Sequence, residues 1–169
     1  MNKFGFISFL LSLFLLIFPY LPLGLYFGSE TNPWLGIHSY VKVPVHLLDF
    51  QGQRLFPFGI ITDTGLEFWF QVNFLAFFFL FILLILSVFF SGIGFLMENE
   101  RGKRLIHFNF FALLFMILFF LIGISIYSEE ILGNQFIFFD IFRYIYFGFY
   151  ILLGNLSIAL IAYLKHPIS

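Results

Sequence analysis

Few residues in this chain have side chains able to do chemistry, and most of them lie outside its apolar runs. The four histidines are His38, His46, His107 and His166. His38 and His46 could approach each other, but two imidazoles without a third ligand make a poor metal site. His107 and His166 both lie near the inner boundary of the apolar runs, where a shared bis-histidine haem must be weighed against ordinary interfacial solvation, the commoner state. Thr62-Asp63-Thr64 has the composition of a turn rather than of a nucleophile beside its base. There is no cysteine, which removes disulfides, thiolate metal sites, iron–sulfur ligation and thiol redox chemistry. A proton-coupled exporter would carry an acid inside its apolar segments, and none of the nine Asp and Glu falls there. The expectation is therefore a non-enzymatic protein with no catalytic, cofactor-binding or metal-ligating residues.

The polar residues inside the apolar runs have a different use. Ser8 and Ser12 are four residues apart, as are Ser87 and Ser91, and Asn155 shares a helical face with Ala159 and Ala162. Helices in lipid associate through small residues and modest hydrogen bonds, because lipid tails are as apolar as leucine. Ser8, Ser12, Ser87, Ser91 and Asn155 are thus candidate helix-packing residues. Asn155 is the deepest of the asparagines, where an unpaired amide is costly; a backbone or a serine on a neighbouring helix is its expected partner. Asn73 and Asn109 read as boundary residues that hydrogen-bond locally.

The elements that must hold these side chains follow from composition. The chain has 169 residues, of which 62% are hydrophobic and 10% charged, whereas soluble domains average about 45–50% and about 25%. Eight Lys and Arg against nine Asp and Glu leave no basic surplus for nucleic acid. A bilayer-crossing helix needs about 20 apolar residues. Four stretches qualify, at about 4–27, 70–97, 105–127 and 144–164. The expected fold is an all-α integral membrane protein, one domain over 1–169, built as a four-helix bundle with a small extracellular β-hairpin or sheet at about 28–69. Pro19 and Pro22 should kink the outer third of the first helix.

Lys3, Arg101, Lys103, Arg104 and Lys165 flank one side of these spans, and Lys42, Arg54 and Arg143 the other. The excess of basic residues predicts that both termini are inside, in a multi-pass protein of the plasma or cytoplasmic membrane. Within the outer module, Val41, Val43, Val45 and Leu47 alternate with Lys42, Pro44, His46 and Leu48, as a half-buried strand does. A two-residue turn at Gln51-Gly52 would pair Asp49 with Arg54, Leu47 with Phe56, Val45 with Phe58 and Val43 with Ile60. One face of that hairpin is apolar, and such faces usually mark contact sites. The candidate interface residues are Val45, Leu47, Phe56 and Phe58, with Trp34 and Trp69.

This order of spans and loops resembles the claudin and peripheral-myelin tetraspan superfamily. Trp34 and the run Gly65-Leu66-Glu67-Phe68-Trp69 are similar to the Trp and the Gly-Leu-Trp motif of that family's first outer loop; the cysteine pair that follows there is absent. The resemblance implies a left-handed bundle bearing a small extracellular sheet, and a role in lateral or cell–cell contact. The expected partners are the lipid bilayer and a membrane protein or a second copy of the chain, with no nucleic acid and no cofactor. The rival functions are an accessory subunit of a larger membrane complex and an oligomeric pore or carrier.

Overall fold

The computed structural model describes residues 1–23, 41–62, 65–69, 75–136 and 138–167. Trp34, His38 and Asn73 lie outside them. The chain is mostly helical, with a small four-stranded antiparallel sheet. Helices α1 (Lys3–Ile17), α2 (Leu75–Gly94), α3 (Glu100–Leu132) and α5 (Phe147–Leu164) are joined by the single turn α4 (Ile141–Tyr144) ahead of α5. α1 packs on α2 and α5, and α3 packs on the same two, so the four long helices close a ring. Three of them, α2, α3 and α5, are long and apolar enough to cross a membrane, and α1 is a shorter apolar helix.

The first apolar stretch does not stay helical to residue 27. α1 stops after 15 residues at Ile17, about 22 Å at 1.5 Å per residue. Pro19 brings no backbone donor and biases the preceding residue to extended backbone; Phe18 has ψ 111. The chain continues instead as β1 (Tyr20–Leu23), paired antiparallel with β2 (Val41–Pro44). The third stretch is longer than hydropathy suggests, because α3 covers 33 residues. Its start is capped by Asn99, whose side chain accepts from the Gly102 N–H at 3.0 Å, and its end by Gly133 at φ 70. The fourth is shorter at its start, where Ile145 and Tyr146 break the chain between α4 and α5.

The outer hairpin forms where expected but is not the whole module. β3 (Leu48–Phe50) and β4 (Gln53–Phe56) pair Asp49 with Arg54 across Gln51 and Gly52. Both turn residues have positive φ, 49 and 87, the geometry that matches strand twist in a two-residue loop. Leu47 extends that ladder by one bond, its N–H reaching the Leu55 carbonyl at 2.7 Å. The expected pairs Val45–Phe58 and Val43–Ile60 do not form. Pro57 has no N–H to offer a ladder, and with Phe58 it turns the chain into β5 (Gly59–Thr62), which pairs back on β4. β6 (Gly65–Phe68) then adds to β5, giving the order β3-β4-β5-β6. Val43 is taken by Leu21 of β1 instead.

Candidate functional site

Inside the bundle, α1, α2, α3 and α5 each contribute to one closed hydrogen-bonded ring. Ser8 Oγ donates to Asn155 Oδ1 at 2.7 Å, and Asn155 Nδ2 donates to Ser12 Oγ at 2.7 Å. Ser12 and Ser87 hydroxyls meet at 2.7 Å. Ser87 Oγ donates to Asn109 Oδ1 at 2.6 Å, and Asn109 Nδ2 returns to Ser8 Oγ at 2.9 Å. A serine hydroxyl has one proton, and that of Ser87 goes to Asn109, so Ser12 donates to Ser87. The circuit therefore runs in one direction through all five residues, each of which is fully buried. The ring sits about 8–14 Å from the end where the termini gather, counted along each helix. Asn109 is thus a cross-helix partner and not the locally bonded boundary residue the sequence suggested. Ser91 stays outside the ring and gives its proton to the Ser87 carbonyl at 2.5 Å.

A second polar cluster ties that end together. Asn2 donates both amide hydrogens, to the Ala162 carbonyl at 2.8 Å and to His166 Nδ1 at 2.9 Å. Its Oδ1 caps α1 at the Gly5 N–H, and its backbone N–H reaches the Phe95 carbonyl. With Nδ1 accepting, His166 carries its proton on Nε2 and donates it to the Met97 carbonyl at 2.9 Å. Burial holds this imidazole below the ordinary histidine range, against the Met97 carbonyl, which favours the charged form. His107 stacks on Tyr163 with centroids 4.6 Å apart, so the two histidines have different partners and form no shared ligand pair. Among the described residues, no three His, Asp or Glu converge as metal ligands.

At the other end the sheet is fastened to α5 by backbone. The first N–H groups of a helix lack intrahelical acceptors, and here the β2–β3 link supplies them. Tyr146 N–H donates to the Leu47 carbonyl and Gly148 N–H to the His46 carbonyl, both at 3.0 Å, while Leu48 bridges Ile145. A Cβ on residue 148 would stand 2.1 Å from the Val45 carbonyl oxygen, so only glycine permits this approach. Beneath the sheet, Trp69 Nε1 donates to the carbonyls of Phe56 and Pro57 at 3.1 Å each, locking the β4–β5 turn.

This packing changes the meaning of the candidate interface residues. Val45, Leu47, Phe56 and Trp69 are 1%, 0%, 2% and 1% exposed, because Val45, Leu47 and Trp69 belong to the core shared with the bundle, and the rings of His46 and Phe58 pack against Phe56. They are core residues and offer no surface to a partner. Phe58 is only partly buried, and the other exposed apolar side chains of the sheet are Leu66 and Phe68 of β6. Phe58, Ile61 and Leu66 form one wall of an apolar groove of about 470 Å³, with Leu16, Ile17 and Phe81 opposite.

His46 is buried completely at this junction, its ring stacked on Tyr146 with centroids 4.0 Å apart. Its closest charged neighbour is Asp49, 3.3 Å from Nε2 but not aligned as a hydrogen bond. Burial pushes its pKa down from 6.5 to about 4, opposed by Asp49 and assisted by Arg54. The unfolded chain then binds the extra proton first, so stability should fall as pH drops from about 6.5 to about 4, by on the order of 3 kcal/mol. Thermal unfolding in detergent across that window checks it, and His46→Phe should flatten the profile.

Comparison with protein-family models, with curated proteins and with solved structures finds no match.

Proposed function

We propose that the protein is a non-enzymatic tetraspan membrane protein that makes lateral protein contacts at the end bearing the sheet. In this reading α1 is the fourth span, nested between α2 and α5, and both termini lie inside. The observation that carries it is the groove between the sheet and the α1–α2 pair. Its walls are apolar on both sides, and Leu66 at its rim is 45% exposed. A contiguous apolar surface of this kind marks interaction sites. The sheet beside it is held rigidly by backbone bonds, so the groove is preformed and needs little ordering to bind. The fitting partner is an apolar segment of another membrane protein or of a second copy. The resemblance to claudin-like tetraspans points to the same class of role. The internal polar ring is closed on itself, which favours contact over a pore, whose lining needs polar groups open to the permeant.

Leu66→Asp tests the groove at an exposed position, where a charge does not disturb the core. The variant should keep the thermal stability of the parent to within about 0.5 kcal/mol and lose its assembled size in mild detergent. An accessory subunit would instead lose a discrete hetero-complex. Unchanged assembly in Leu66→Asp overturns the groove as the contact site.

A further inference from the structure

α1 and α5 run antiparallel along a seam, with Asn2 beside Ala162 and Ser8 beside Asn155. Two cavities open along it. One, of about 320 Å³, lies at the termini end and is lined by Lys3 and Phe4 of α1 with Lys165 and Pro167 beyond α5. Among the described residues no carboxylate lines it and no ion pair engages either lysine; Met1 and Asn2 complete its lining, and the Met1 ammonium is paired with Glu98. Lys165 Nζ sits 5.5 Å over the Phe4 ring. The Asn2–His166 clamp holds the two chain segments that carry these lysines side by side. The other cavity, of about 530 Å³, is lined only by apolar side chains, among them Leu10, Leu11 and Phe14 of α1, Phe18 just beyond it, and Phe147 and Ile151 of α5.

The two cavities share one face of α1. Lys3 and Leu10 are seven residues apart, as are Phe4 and Leu11, and seven residues bring a helix back to within about 20°. Counted along α1, the apolar lining therefore begins at Leu10, about 10 Å from Lys3, and along α5 it reaches Ile151 and Phe147, about 21 and 27 Å from Lys165. Half of a bilayer's hydrocarbon core is about 15 Å deep. Paired positive charge at one end, with an apolar groove further along the same seam, is the charge and polarity pattern of an anionic phospholipid. Basic pockets between spanning helices bind such headgroups.

We propose that the α1–α5 seam is a binding site for one anionic phospholipid, with its phosphate between Lys3 and Lys165 and an acyl chain in the apolar groove. The site rests on the reading of these helices as membrane-embedded. The full chain in mild detergent, titrated with dioleoyl phosphatidylglycerol or with the choline lipid of the same chains, should retain the anionic lipid about 30-fold more tightly by native mass spectrometry, since each lysine supplies roughly fivefold. K3Q with K165Q should bring the two lipids to parity, and K3R with K165R should preserve the preference. Inorganic phosphate in hundredfold excess should not displace the lipid, because it lacks the chain. Equal retention of both lipids by the parent, or an unchanged preference in the glutamine variant, overturns the site. Displacement by phosphate reduces it to an anion site and overturns the lipid assignment. Carbonate extraction separates this failure from that of the membrane reading: the protein remains in the membrane pellet if only the lipid site is wrong.

Discussion

Gly148→Ala should detach the sheet from the bundle at a cost of about 3–5 kcal/mol. The added Cβ would stand 2.1 Å from the Val45 carbonyl oxygen and 2.7 Å from that of His46. Both are backbone atoms of the β2–β3 link, so no flexible side chain can yield. Relief requires the β2–β3 link to lift, which breaks the bonds from Gly148 N–H to His46 and from Tyr146 N–H to Leu47. Burial of Val45, Leu47 and Leu48, each at most 1% exposed, would be lost with them. Gly154 lies six residues further along the same helix and meets nothing within 4 Å. Gly154→Ala should therefore be neutral, or stabilising by up to about 1 kcal/mol through helix propensity. Thermal unfolding with limited proteolysis of the sheet distinguishes the two variants. Equal stability of Gly148→Ala and Gly154→Ala would mean that the link does not rest on α5.

Which features were legible in the sequence follows the range of the interactions that make them. The Asp49–Arg54 register depends on a two-residue turn whose residues are adjacent, and Gln51-Gly52 names it. Hydropathy located the apolar helices but misplaced their ends, because helix termini are set by capping and not by polarity. Asn99 and Gly133 bound α3, whereas the apolar stretch runs only over 105–127, because charged residues lie on either side of it. Those apolar limits place Asn109 one turn from a helix start, whereas it lies nine residues into α3, about 14 Å along the axis. The pairing of β1 with β2 joins segments some twenty residues apart in sequence, and no local signal specifies such a contact. The apolar face of the outer hairpin was visible, but not what covers it. Cover depends on Gly148 letting the backbone of α5 approach, and one glycine in an apolar run carries no such message. Trp69 reads as an interface residue for the same reason, while its indole N–H is spent on the Phe56 and Pro57 carbonyls.

The second large effect is expected in the polar ring, and it is cooperative. An interhelical hydrogen bond in lipid contributes on average only about 0.6 kcal/mol, because the separated helices find other partners. Asn155→Ala should cost more, about 3–4 kcal/mol. It severs two bonds, leaving the Ser8 hydroxyl without its acceptor and Ser12 without its donor, and each orphaned buried group costs about 1–3 kcal/mol. Asn109→Ala does the same to Ser87 and to the other side of Ser8. The two asparagines share no hydrogen bond; Ser8 links them on one side and the Ser12–Ser87 contact on the other. A one-directional circuit polarises every member, so the first break weakens the bonds that the second would remove. The double variant should therefore be less destabilised than the sum of the single ones, by at least about 1 kcal/mol. Ser91→Ala leaves the circuit intact and removes only a bond within α2, so it should fall within about 0.5 kcal/mol of the parent. Unfolding of the four variants in one detergent provides the cycle. Strict additivity of Asn109→Ala and Asn155→Ala would show the five residues acting as separate pairs, and the helices would then owe their register to the small residues around Gly5, Gly94 and Ala159 instead.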